Sequence, residues 1–436
     1  MTAAPDTTGS RRRRCILAVW TRALDGVESV GRVKTARAVR ETLAPLGTVT
    51  AARLEAVVER ASMRSIAAAA RALAGGLLRG RPMPLQCVLF ADGGPGAEQA
   101  LRDAAACDVV YADGIRALPW LRRLRQIRPD VEVVLDFDDL MSRRCDELIE
   151  HRLPLSLGYL ERAMPRAFAR IVTAPPVARL LLGYERAALR HAEREALRLA
   201  DRIVLVNRHE AALLAADAEA MQPPARATVL AIPPPAPVAA AVPVPRPPWR
   251  AVFVGTDGLV QNRLTIDHLL ELWHRERIAI PLVIYGRQKR PPREVPGVTW
   301  AGYVRDIAEA YTPGSILVSP CFLRGGIKTK ILEGFAHGTP VVGNTASFEG
   351  MDFDGYPLRF DSDAALLGFL ADPSRHLGAM VEAVRRGAAH LEHEHRAERF
   401  RQRWAAAILG AAGQTATGDG AVPPSNQQRA RALALH

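Results

Sequence analysis

Cysteine is scarce in this 436-residue chain and poorly placed for chemistry. Cys15, Cys87, Cys107, Cys145 and Cys321 are scattered, odd in number and without a C-x-x-C pair. That excludes the usual zinc and dithiol spacings and fits a reducing cytoplasm. Long apolar runs are missing too: no stretch approaches the roughly 18 apolar residues of a bilayer-spanning helix. The N-terminal RRRRCILAVW is basic then apolar, but its apolar part is about six residues where a signal peptide needs roughly 7 to 15, and Thr21, Arg22 and Asp25 follow at once. It reads as a basic leader, residues 1–14, entering a first buried strand. Aromatic residues amount to 6% and do not alternate with the basic ones. The spread arginines therefore lack the stacking partners of a nucleic-acid binder, and nucleic acid is not among the expected partners.

What is present describes an α/β protein. The length exceeds the size at which one core stops growing, so two domains are expected. Hydrophobic residues make up 48% and mean hydropathy is balanced at −0.01, as in ordinary globular chains. The net charge of +12 and pI near 10.0 imply anionic company such as nucleotides, phosphates or an acidic membrane surface. The excess is largely arginine, in an Ala/Arg/Leu-rich composition of the kind a GC-rich coding sequence produces.

Short apolar runs at 15–20, 86–90, 108–112, 131–136 and 202–206 suit strands buried on both faces, and helical stretches such as 30–45 and 185–200 lie between them. Residues 231–249 then include AIPPPAPVAAAVPVPRPP, too rich in proline for a helix interior or a central strand, hence an extended connector. The alternation restarts with strands near 250–255, 281–285, 298–300, 315–319 and 340–343, and helices including 264–276 and 328–337. The pattern predicts two doubly wound parallel-sheet domains, 15–230 and 250–386. A C-terminal helix over 387–411 and a flexible tail over 412–436 follow. Ligands of such sheets bind beyond the carboxyl ends of the strands, in a cleft between the domains.

The run CFLRGGIKTKILEGFAHGTPVVG, residues 321–343, reads as strand, tight loop, helix, strand. Paired glycines free backbone N–H groups for close approach, and a helix start adds a positive dipole end, so the loop suits an anion. Its continuation, GGIKTKILEGFAHGTPVVGNTASFEGM, resembles the donor-site signature of the GT-B glycosyltransferases, specifically the bacterial family 4-like sugar transferases. VVLDFDDLMSRR (133–144), EREALRLADRIVLVNRHEAALL (193–214) and VFVGTDGLVQNRLTIDHLLELW (252–273) are similar to other segments of that family, in the same order. The likeness spans most of residues 15 to 350. It implies two Rossmann-like halves facing a cleft, the nucleotide sugar held by the C-terminal half and the acceptor by the N-terminal half, with no metal or other cofactor needed for the chemistry.

Glycosyl transfer builds negative charge on the departing diphosphate, which prepositioned donors and cations stabilise. Gly325 and Gly326 would bring backbone amides to it, with Lys328 and Lys330 as candidate point charges. Helical geometry sets the lysines about 200° apart, so one of them, Lys328 by preference, faces the ligand. Glu333 matches the family glutamate that takes the ribose hydroxyls, and a carboxylate, being acceptor-only, suits a vicinal diol. The likeness also has gaps. A second family glutamate, which contacts the donor sugar, is replaced by Gly325, and the family's arginine and lysine after the first strand of this domain give way to Thr256 and Gln261, with Arg263 close by. In the N-terminal domain, WTRALDGVESVGR (20–32) is the loop that the family brings near the reacting sugar. Glu28 and Gly31 are its acceptor-side candidates, Gly31 equally readable as a turn glycine. Asp138 or Asp139 is a candidate base or orienter for the acceptor hydroxyl, or else a cap of the next helix.

Asp136-Phe-Asp138 looks like the metal motif of the other major glycosyltransferase fold, but two halves with a phosphate loop near 325 do not suit that fold, and no metal site is expected. HLEHEH (390–395) reads as a solvated helix face, and GGPG (93–96), lacking the lysine and Ser/Thr of a P-loop, as a turn. Residues 51–82 form a basic amphipathic segment that either lies on an anionic membrane or packs its apolar face inward. The expectation is a cytoplasmic glycosyltransferase, or one peripheral to the inner face of the membrane. The alternatives are a GT-B nucleotide-sugar epimerase and a non-catalytic nucleotide-sugar-binding subunit.

Overall fold

Where valine, isoleucine and leucine run together, the backbone forms strands covered on both faces. The computed structural model describes residues 14–25, 31–60, 62–153, 174–237, 244–351 and 353–410. Six strands make the first sheet: β1 (Arg14–Trp20), β2 (Gly47–Arg53), β3 (Val109–Asp113), β4 (Glu132–Asp138), β5 (Arg202–Leu205) and β6 (Thr228–Ala231), in the order β2-β1-β3-β4-β5-β6. Five make the second: β7 (Arg250–Val254), β8 (Leu282–Tyr285), β9 (Val298–Gly302), β10 (Ser315–Val318) and β11 (Val341–Val342), in the order β11-β10-β7-β8-β9. Every pairing is parallel. Helices cover the faces, which gives the two-domain, doubly wound α/β fold expected from the pattern of apolar runs.

The departures have local causes. Residues 86–90, expected as a strand, include the one-turn helix Leu85–Val88 that starts after Pro84. A short apolar run is equally compatible with a buried helical turn, and Cys87 Sγ is anchored on Ile115 O at 3.3 Å. β2 and β6 escape the sequence pattern because they are partly exposed outer strands: β2, GTVTAAR, has no continuous apolar run, and β6, TVLA, is only four residues long. The segment 51–82 is not one amphipathic unit: 51–53 completes β2, and the long helix is Met63–Leu78, N-capped by Ser62.

The stretch expected as a single C-terminal helix is two, Leu377–Glu394 and Ala397–Leu409, with the chain turning at His395 and Arg396. The turn sends the last helix back to the first domain. There Phe400, Trp404, Ala407 and Ile408 join Ile16, Ala18, Trp20 and Tyr111 in one core cluster, with the Trp404 ring edge-on to Tyr111 at 5.6 Å. The N-terminal leader before Arg14 and the tail from residue 411 lie outside the described residues.

Candidate active site

In each sheet the chain order reverses between two neighbouring strands: β1 and β3 in the first, β7 and β10 in the second. Crossovers diverge there, and a crevice opens beyond the carboxyl ends of those strands. Thr256 lies in the loop after β7, and Gly325 and Gly326 in the loop after β10. Arg22 follows β1, and Asp113 ends β3. The two crevices meet. A Cβ on Gly31, the first residue of helix Gly31–Leu43, would lie 2.9 Å from Thr329 Cγ2, at the start of helix Thr329–Ala336. Lys34 Nζ reaches Glu333 Oε1 at 3.1 Å.

On the C-terminal side, Gly325 and Gly326 take φ of +88° and +63°, a region open to glycine and strained for other residues. A side chain would also collide there: a Cβ at 325 would stand 2.8 Å from Glu210 Oε1, and one at 326 would stand 2.7 Å from Asp139 Oδ1. The following helix has no side-chain cap at its start, so its first amides and dipole face the same crevice. The two lysines point apart, as helical geometry requires. Lys328 Nζ folds back onto Gly325 O. Lys330 Nζ donates to Asn262 Oδ1 at 2.6 Å and sits 4.1 Å above the Phe253 ring, and burial lowers its pKa to about 8. Asn262 in turn holds Thr256 O at 3.0 Å, which ties the β7 loop to the glycine loop. Arg263 stands half-buried next to Asn262, in the first turn of helix Val260–Glu276.

Carboxylates of the N-terminal domain close over this loop. Gly326 N–H donates to Glu210 Oε2 at 3.0 Å, and Arg324 N–H to Glu147 Oε2 at 3.0 Å. Asn207 Nδ2 donates to Gly326 O at 2.9 Å. Arg143 grips Glu349 with two guanidinium nitrogens, Nη2 at 2.9 Å.

On the N-terminal side, Arg32 is the hub. Its Nη2 lies 2.8 Å from Asp113 Oδ1 and 2.9 Å from Asp136 Oδ2, and its Nη1 lies 3.2 Å from Asp138 Oδ1. Arg22 Nε takes the other Asp113 oxygen at 2.7 Å, and Tyr111 donates its hydroxyl to Asp136 at 2.9 Å. Burial works against the Asp113 charge, but the two arginines prevail and its pKa is lowered. Asp138 differs. Burial pushes it up to about 7 against the pull of Arg32, with Asp139 and Asp136 adding to the rise, and its φ of +69° is unusual for a residue other than glycine.

Helix Met141–Glu150 receives no aspartate cap. Its N-cap residue is Leu140, and Ser142 N–H donates to Glu193 Oε1 at 3.0 Å. Asp139 instead pairs with Arg144 and leans over Gly326, so the capping alternative for these aspartates is corrected. Glu28 lies outside the described residues. HLEHEH is not one solvated face either: His390 and His395 are a half-buried and a buried ring joined at 3.2 Å, and Glu394 is held by Arg208 and Arg403. Among the described residues no three His, Cys, Asp or Glu side chains could together hold a metal ion.

Sequence reasoning passed over Arg32, Lys34, Asp113 and Glu210. One signal pointed at Lys34: the chain has four lysines, Lys34, Lys289, Lys328 and Lys330, among 58 basic residues, and all four lie at the carboxyl-end loops or the helices that follow them. Where arginine is the default cation, a lysine marks a position that tolerates no fork.

Residues 249–386 match the family model described as Glycosyl transferases group 1. Among curated proteins no sequence matches. Sucrose-phosphate synthase (tll1590) from Thermosynechococcus elongatus superposes with a TM-score of 0.55 at 12% identity, over 89% of this chain and 97% of its own. The lipopolysaccharide outer core galactosyltransferase WaaB, in its apo form, gives 0.53 at 11% identity, over 91% and 99%. Residues 249–386 thus resemble the group 1 glycosyl transferases over the second domain, and the chain as a whole has the two-domain GT-B fold.

Proposed function

We propose that this protein transfers a hexosyl group from a nucleotide-diphosphate donor to a hydroxyl of a glycan, a lipid-linked glycan or a secondary metabolite. One observation carries the reading: a positive-φ glycine loop and an uncapped helix start carrying Lys328 and Lys330 face the N-terminal domain, with Gly326 against Asp139, Thr329 against Gly31 and Glu333 against Lys34. The loop and helix amides, with Lys328, stabilise charge on the departing diphosphate, and Lys330, held on Asn262 and over the Phe253 ring, backs the donor site from the other side. Glu333 exchanges its Lys34 partner for the ribose diol. Thr256 and Arg263 line the diphosphate side, and Gly31 lets the first N-terminal helix approach the reacting sugar. Asp138, titrating near pH 7, takes the acceptor proton, oriented by Arg32, while Asp139, paired with Arg144, orients the acceptor. In this proposal positive charge comes from the protein, so transfer persists in a chelator.

Thermal melting with uridine, guanosine and adenosine diphosphates tests the donor assignment. A nucleotide at 100 times its dissociation constant adds about 2.7 kcal/mol. The matching one stabilises wild type and stabilises Glu333→Ala much less; silence of all three in wild type at millimolar concentration removes the proposal, whereas nucleotide binding with neither transfer nor slow hydrolysis of the donor would favour the non-catalytic nucleotide-sugar-binding subunit. The adjoining Asp139 and Glu210 carboxylates favour a second reading, a nucleotide-sugar epimerase, and an altered sugar formed without any acceptor would establish it.

A peripheral membrane location belongs to the same proposal. No described helix is long and apolar enough to cross a membrane. Helix Met63–Leu78 exposes Met63 (79%) and Leu78 (88%), together with Ile66 and Leu77, beside exposed Arg64, Arg71, Arg79 and Arg81. Such a face suits an anionic bilayer on the cytoplasmic side. Co-sedimentation with anionic but not zwitterionic vesicles, weakening with salt, is the expected result.

A further inference from the structure

Glu210 has no task in the chemistry above, yet its surroundings are those of a binding group. It is the third residue of helix Arg208–Glu219, where a glutamate commonly bonds back to the N-cap backbone. Here it does not: Asn207 caps the helix with its own side chain, accepting from His209 and Glu210 N–H, and Glu210 turns towards the other domain. Oε2 accepts from Gly326 N–H at 3.0 Å, and Oε1 only weakly from Leu140 N–H at 3.4 Å. The residue is 1% exposed, and among the described residues no lysine or arginine forms an ion pair with it. Burial, with the Asp139 charge adding to it, pushes the Glu210 carboxyl up to about 7 against the pull of the Gly326 amide, Arg143 and Arg144; in either protonation state its two oxygens offer more acceptor positions than two N–H groups fill, so buried acceptor capacity remains at the boundary of the two domains. Its Oε1 stands 2.8 Å from the point where a side chain at 325 would begin. That residue is glycine, so the loop itself puts nothing there.

We infer that Glu210 is a donor-sugar contact, accepting hydroxyl hydrogens of the sugar carried by the diphosphate and thereby selecting which sugar is transferred. The inference rests on the proposed role of the glycine loop. If the loop amides and Lys328 hold the diphosphate, the attached sugar lies on the N-terminal side of it, where the free lone pairs of a carboxyl match a ring of hydroxyl donors. Asp139, beside Glu210, is already engaged by Arg144, which leaves Glu210 as the member of the pair with lone pairs to offer.

The test compares wild type, Glu210→Gln and Glu210→Ala by titration calorimetry, using uridine, guanosine and adenosine diphosphates and the same nucleotides carrying glucose or galactose. Glutamine keeps the shape and can still accept from Gly326 N–H, so it guards against a folding failure in the alanine variant. The expected result is affinity for the bare diphosphate within about twofold of wild type. The preference for the nucleotide sugar over the bare nucleotide falls at least about tenfold, as loss of a charge-assisted hydrogen bond predicts, and discrimination between glucose and galactose narrows. Tighter binding of the bare diphosphate in the variants would overturn the inference, showing that Glu210 merely occupies an amide the phosphate needs. Parallel weakening of both ligands would overturn it in favour of a role in holding the loop, and no change in either would remove it outright. If wild type binds no nucleoside diphosphate, the proposed function of the loop has failed, and this inference falls with it.

Discussion

Asp138 occupies the left-handed region at the end of β4, where the register with β5 shifts between Asp136 and Asp138. For a residue other than glycine such a conformation costs on the order of 1–3 kcal/mol and persists where the surroundings over-determine it. Its pKa near 7 adds a second cost. The folded pKa lies above the unfolded value near 3.9, so Asp138 favours the folded state below about pH 4, and that contribution is lost as pH rises through 7. Asp138→Asn removes the charge and keeps a residue that tolerates positive φ. It is expected to raise the melting midpoint more at pH 8 than at pH 5 while lowering turnover roughly 10²- to 10⁴-fold. In wild type, kcat/KM should climb to a plateau above about pH 7, and a flat profile would exclude Asp138 as the base. Gly326→Ala tests the loop at the same scale. The left-handed backbone and the Asp139 oxygen 2.7 Å from the new methyl should together lower the unfolding free energy by about 1–2 kcal/mol or more and blunt stabilisation by nucleotide, both readable in one melting series.

At the scale of elements, the turn between the last two helices is tied to the first residues of the proline-rich connector. His395 Nδ1 lies 2.6 Å from Pro234 O, Ala236 N–H donates to His395 O at 2.9 Å, and the His390 and His395 Nε2 atoms are 3.2 Å apart. This chain of contacts works with both rings neutral, Nδ1–H of His395 donating to the carbonyl and its Nε2 accepting from His390. Burial, with the two rings acting on each other, lowers His390 to about 3, and burial lowers His395 to about 4. In the unfolded chain both take up protons from about pH 6.5 downward. Between there and pH 4 the unfolded state binds more protons, so stability must decline as pH falls. Unfolding by urea at pH 7 and pH 5 should show that loss, and His390→Gln should diminish it; equal loss in the variant would place the acid sensitivity elsewhere. The same scale shows what the sequence made legible: β1, β3, β4, β7 and β10 are central strands and announce themselves as apolar runs. Outer strands β2 and β6 owe their pairing to a neighbour rather than to their own composition.

For the whole molecule the decisive contacts cross between domains. Arg143 and Glu349, each with a side chain 14% exposed, form the most enclosed cation–anion bridge between them among the described residues. Arg143→Ala strands a partly buried carboxylate and should cost about 2–4 kcal/mol, below the full range for buried pairs because both side chains touch water. Glu349→Ala in the same protein should recover part of that loss, as a double-mutant cycle in urea would read. If the pair also sets the closure of the cleft, small-angle scattering of Arg143→Ala will report a larger radius of gyration than wild type; an unchanged radius would confine the pair to stability.

The sequence by itself determined the two doubly wound sheets and the glycine–lysine loop, because each is written in residues adjacent along the chain, as apolar runs or as a helix start. Only the tertiary structure decided which carboxylates surround which cations. Arg32 meets Asp113 and Asp138 across 81 and 106 residues, and Glu210 meets Gly326 across 116. Such pairs leave no local pattern. They depend on the order of strands in each sheet and on the seating of one domain against the other, which comes from the packing of the whole chain and not from any segment's preference.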